Sequence, residues 1–214
     1  MNNIFRTLSA VIALVAVAHV AAAQGTPTLA IDDARIRAAV EREIAQAGER
    51  GLPTRPLIAK AQEGVTKRAP AEAIRTAVAR QARRLEQARD LLAPSTSEAE
   101  LVAGADALAV GVAPAMLRQV RAAYPAGQSV AMPLDVLTEL VARGVPAKHA
   151  LEQITLLMRR GATSAQIASL GASVQADVAA GLTPDAALEV RARGVMSLLS
   201  APTRANGATN PRSP

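Results

Sequence analysis

The chain has no cysteine and no tryptophan, and its 214 residues include one phenylalanine, one tyrosine and two histidines. Without cysteine there is no disulfide framework, no thiolate nucleophile, no thiolate zinc set and no lipoprotein anchor. With so few aromatic faces, stacking platforms for sugars, single-stranded nucleic acid or quaternary ammonium ions are hard to build. Phe5 lies near the start, so the only aromatic ring from Gln24 onward is Tyr124. The interior must be made of Leu, Val, Ile, Met and Ala. Period-two alternation is also nearly absent, which leaves no strand pattern to compete with helix.

Residues 1–23 read as a secretory signal peptide. Arg6 precedes an apolar run from Leu8 to Val20, and Ala21-Ala22-Ala23 follows. A charged start, a short apolar core and small residues at the cut are what signal peptidase requires. Cleavage after Ala23 is expected, which leaves a mature chain that begins at Gln24 in the periplasm or outside the cell. The apolar run is short for a bilayer span of about 20 residues. No other stretch is apolar enough, so no transmembrane span is expected in the mature chain.

What is present is a string of helix patterns separated by glycine. Ile36, Val40 and Ile44 form one stripe, with Asp32 a suitable N-cap. A short helix follows near residues 55–64. Pro70 opens the longest pattern, in which Ile74, Val78, Leu85 and Leu92 share a face that Gln81 interrupts. Pro94 ends it. Ser97-Glu98-Ala99-Glu100 has the form of a capping box. Pro114 opens a helix with Met116, Leu117 and Val120 inward. Four more helices are expected near 132–143, 146–160, 163–180 and 183–199. The expected fold class is all-α, stacked antiparallel helical hairpins in an irregular bundle. The expected divisions are an N-terminal half over 24–124, a C-terminal half over 130–199 and a disordered tail over 200–214.

One local unit recurs: glycine, then an apolar residue, then a helix start. It occurs at Gly51-Leu52, Gly111-Val112, Gly144-Val145, Gly161-Ala162 and Gly181-Leu182. Glycine suits the left-handed position that closes a helix, and the apolar residue can fold back onto the helix just ended. The spacing of these units is irregular, so a regular repeat array is not established.

The stretch Gly51-Leu52-Pro53-Thr54-Arg55-Pro56-Leu57-Ile58-Ala59-Lys60-Ala61-Gln62-Glu63-Gly64 resembles a motif of uncharacterised exported α-helical bacterial proteins. The amphipathic helix before it, the Arg-rich helix after it and the later Arg191-Ala192-Arg193-Gly194 element are similar too. The resemblance implies export and a helical fold, and it implies no activity.

Chemistry-bearing residues are scarce. His149 is the only histidine after the signal, and helical spacing puts it about 140° from the apolar stripe of its helix, a solvated position near Glu152. No catalytic residue, cofactor motif or metal set is expected. Asp32-Asp33 suits helix capping better than calcium. Glu63, Glu139 and Glu152 are the acids available for paired-carboxylate chemistry, which also needs a cleft. Charge is the one feature above background. From Arg55 to Asp90 there are nine basic residues against four acidic ones, so this segment carries the whole mature excess of +5. Arg80, Arg83 and Arg84 fall on the side of the helix away from its apolar face, which makes them the candidate contacts for an anionic surface. These observations point to an exported, non-catalytic interaction or structural module of the cell envelope, with an unidentified protein or envelope partner. The alternative is an envelope- or polyanion-binding protein acting through residues 55–90.

Overall fold

A computed structural model describes residues 29–95, 97–125 and 127–200. The signal segment and residues 201–214 of the expected tail lie outside the described residues. Among the described residues the chain is all-α, with nine helices and no strand. They are α1 (Ala34–Glu49), α2 (Arg55–Thr66), α3 (Ala71–Leu92), α4 (Glu98–Ala109), α5 (Pro114–Ala123), α6 (Ala131–Ala142), α7 (Ala147–Arg159), α8 (Ser164–Ala179) and α9 (Pro184–Ser200).

The recurring glycines end helices, as their sequence context predicts. Gly51, Gly111, Gly144, Gly161 and Gly181 have φ of +74°, +94°, +95°, +85° and +102°. After each, the next residue's N–H returns to a carbonyl five residues back. Val145 donates to Leu140 at 3.0 Å and Leu182 to Asp177 at 3.0 Å, which satisfies carbonyls the helix itself leaves open. Leu52, Val112, Val145 and Ala162 are buried after the turn, but Leu182 is 42% exposed. The expected fold-back therefore fails at the last hairpin. Arg68 makes the same turn after α2 with φ +53°, a conformation disfavoured for a residue with a Cβ.

Helix starts are less uniform. Asp33, not Asp32, caps α1, and its Oδ1 accepts from the N–H groups of Arg35 at 2.9 Å and Ile36 at 3.0 Å. Thr163 and Gln166 form a reciprocal capping box at α8. The box expected at Ser97 and Glu100 does not form, because the Ser97 side chain makes no cap and Glu100 is engaged elsewhere.

Buried apolar residues form two clusters. The first is built by the segment from Leu29, by α1, α2 and α3, and by Leu101 and Ala105 of α4. The second runs from Leu92 through Ala103 and Ala107 of α4 to Ala192 of α9. Helix α4 therefore serves both, and its small residues allow it to. A Cβ on Gly104 would lie 2.9 Å from Leu92 Cδ1 and 3.0 Å from Ala88 Cβ, so α3 and α4 approach too closely there for any larger residue. The loop at 125–129, expected as a boundary between halves, joins α5 and α6, and both helices supply the second cluster. No helix among the described residues is long and apolar enough to cross a membrane.

Candidate functional site

Glu100 is the third residue of α4 and shares a face with Ala103, Gly104 and Ala107, all buried. It is itself only 3% exposed. Its Oε1 accepts a hydrogen bond from the Val130 N–H at 3.0 Å, at the start of α6. Its Oε2 lies 3.7 Å from Nη1 of Arg121 on α5 and has no hydrogen-bond partner among the described residues. Arg121 also shapes the connecting loop, donating from Nη2 to the carbonyls of Pro125 at 3.2 Å and Gln128 at 3.0 Å. Ser129 Oγ accepts from the Ala131 N–H at 3.2 Å. Two side chains from α4 and α5 thus hold a loop that also has a left-handed glycine of its own, Gly127 at φ +84°.

A cleft of about 580 Å³ opens where these groups meet, lined by Pro94, Ser95, Ser97, Glu100, Arg121, Ala122, Tyr124, Gly127, Gln128 and Ser129. A second cleft of about 380 Å³ shares Tyr124 and Gln128 with it and extends past Pro125 to Gly161–Ser164. The one tyrosine of the chain therefore stands between two hollows. Its hydroxyl lies 3.5 Å from Ser164 Oγ.

Burial pushes the Glu100 carboxyl up, but the nearby Ser95 hydroxyl, the Val130 N–H, the Ser129 hydroxyl and the Arg121 charge outweigh it. The net position is below the usual carboxylate value. The group is ionised at neutral pH and offers a hydrogen-bond acceptor rather than a proton. No second carboxylate and no histidine lines this cleft among the described residues. The contrasting acids are Asp106 on α4 and Asp135 on α6. Burial raises both, and Asp135 is raised further by Asp106.

The residues singled out from the sequence lie elsewhere. Arg80 and Arg83 are exposed on α3 and make no ion pair among the described residues. Arg84 leaves that water-facing stripe: it is half-buried, and its charge falls on Asp106, because α4 packs beside α3 there. His149 is not solvated near Glu152. Its Nδ1 lies 2.6 Å from Asp185 Oδ1 and its Nε2 faces Gln153 at 3.3 Å, because α9 packs across α7. Glu152 instead faces Lys148 at 3.9 Å. Glu63 is held by Lys60 and Lys67 at 2.7 and 2.5 Å, which lowers its pKa to about 2. Glu139 bonds Arg143 at 2.9 Å. Among the described residues no group of three or more His, Asp or Glu could hold a metal.

Glu100 and Arg121 were not legible as partners. The available signal was a glutamate on the small-residue face of α4, a position that helical spacing assigns to the core. No family model, curated protein or solved structure matches this chain, so the meaning of the cleft rests on its own residues.

Proposed function

We propose that the protein is an exported, non-catalytic helical module of the cell envelope, and that the Glu100 cleft is its recognition site. One observation carries this: a cleft of about 580 Å³ opens beside the buried, ionised Glu100 and its Arg121 partner, where α4, α5 and the start of α6 meet. A concave site with a few convergent polar groups is the usual form of a binding site. A carboxyl held below its usual value is poorly suited to donate a proton to a leaving group, which favours binding over cleavage. The test is a photo-crosslinking side chain at Gln128 in cells that export the protein. A discrete envelope adduct is expected, reduced by Glu100→Gln and missing when the crosslinker sits at exposed Leu156. Equal adducts at both positions would overturn the reading.

A second reading has its own support. The acids of the 55–90 segment are each paired with a neighbouring cation, Glu63 with Lys60 and Lys67, Glu72 with Arg75, and Glu86 and Asp90 with Arg89. Arg80 and Arg83 are left without one. Contact with an anionic surface through this face would weaken steeply with salt. Heparin retention that stays flat across ionic strength would remove it.

A further inference from the structure

We propose that the outward face of α9 pairs with the same face of a second copy of this chain, in an antiparallel two-fold contact centred on Gly194. The argument starts from the glycines inside helices, of which the described residues contain five. A glycine weakens a helix interior, and four of the five have a packing reason to be there. An added Cβ would lie 3.2 Å from Thr54 at Gly48, 2.7 Å from Ile74 at Gly64, 2.9 Å from Leu92 at Gly104 and 3.3 Å from Val136 at Gly171. Each marks a place where another element comes close. At Gly194 the added Cβ meets nothing, so no packing within the chain accounts for it. The residues around it are apolar and uncovered. Val190 is 50% and Leu198 70% exposed. Positions four apart stack on one side of a helix, so Val190, Gly194 and Leu198 form one outward stripe. The opposite side, with Leu188, Ala192, Val195, Met196 and Leu199, packs on the second cluster.

Symmetry and charge select the occupant. Val190 and Leu198 stand equally far on either side of Gly194. Turned about a two-fold axis at Gly194, each copy sets its Val190 against the partner's Leu198, a short side chain against a long one at both ends. Glycine meets glycine at the crossing, which lets the axes approach to about 8 Å. Such a self-complementary patch is what a two-fold contact requires. A parallel pair would stack leucine on leucine at one end and valine on valine at the other, and the axes would splay. The flanking cations are already neutralised within each copy. Arg191 donates from Nε to Asp177 at 2.6 Å, and Arg193 lies 3.5 Å from Glu189. No charge is left over to call for an ionic partner, and Glu189 draws Arg193 away from the axis, and so away from its symmetry copy. One helix pair is a small contact, below about 1,200 Å², so the association is weak, with a Kd of about 10–100 μM.

Sedimentation equilibrium on the chain from Gln24 onward reads the dimer directly. Gly194→Gln puts a good helix former into open space, so the single chain keeps its fold and only the dimer suffers. Its Kd should rise at least about tenfold. Leu198→Gln, at an exposed position, should do the same. Orientation is read by disulfide trapping, which is clean because the chain has no cysteine. Val190→Cys mixed with Leu198→Cys should cross-link one variant to the other. Neither should cross-link to itself, because equivalent positions stand about 12 Å apart along the axis, beyond the roughly 7 Å that a disulfide spans. A chain still monomeric at about 1 mM overturns the proposal. In that case a Leu198→Cys thiol that gains reactivity when residues 201–214 are removed assigns the stripe to the chain's own end, and pelleting with phosphatidylcholine vesicles assigns it to a lipid surface. A dimer that neither glutamine variant weakens also overturns the proposal, and so do self-cross-links without the mixed one.

Discussion

The turns at Gly144 and Gly181 and the turn at 125–129 do the same job by different means. The glycine turns are self-contained, since a left-handed residue and one returning N–H close each within six residues. The turn between α5 and α6 has a left-handed Gly127 at φ +84° and a Gln128 N–H that returns to Pro125 at 3.2 Å, and it is held from outside as well, by Arg121 gripping two of its carbonyls and Glu100 receiving the Val130 N–H. A self-contained turn leaves no polar group over. A turn held by side chains from elsewhere brings charges into the interior and leaves one acceptor open. The cleft lies at the second kind.

The largest expected effect is at Glu100. Glu100→Ala strands the Val130 N–H and the mostly buried Arg121, and should destabilise by about 3 kcal/mol, read as a fall in the urea midpoint. Its carboxyl is lowered in the fold, so this contribution is present above the ordinary value of about 4.3 and fades as pH falls through the folded value. The gap between variant and parent should therefore narrow at acid pH. A constant gap would mean the residue acts by packing alone.

Next come the local turns. Gly144→Ala and Gly181→Ala should each destabilise by about 1 kcal/mol, through backbone strain alone, because an added Cβ meets nothing within 4 Å. Their effects should add to that of Glu100→Ala, since the sites share no partner; strong coupling would break the distinction between the two kinds of turn. Gly194 sharpens it from the other side. It lies inside α9 with open space around its Cβ position, so Gly194→Ala should stabilise by roughly 0.5–1 kcal/mol. The smallest effect is expected from Arg80→Gln with Arg83→Gln. Melting should stay within about 0.5 kcal/mol of the parent, and a larger loss would mean the arginine stems are packed rather than solvated.

The helices were legible because their cause is local. Period and punctuation placed α6 to α9 within one residue at every end, and the glycine unit named all five left-handed positions it marked. The site was illegible because its cause is not. Ser97-x-x-Glu100 and Thr163-x-x-Gln166 carry the same capping pattern, yet only the second forms the box. Nothing near Glu100 in sequence shows that a backbone N–H 30 residues on would claim its side chain. The same holds for His149, whose partner Asp185 lies 36 residues away.

The separation of Glu100 from Val130 also orders events in time. Helices and glycine-closed hairpins need only short loops and can form in microseconds, whereas joining α4 to the start of α6 must first close a chain of 30 residues. We expect the Glu100 contact to form after the hairpins, an ordering that refolding rates test. Glu100→Gln should then leave the refolding rate nearly unchanged and speed unfolding by most of its stability loss, and slowed refolding would place the contact in the folding nucleus.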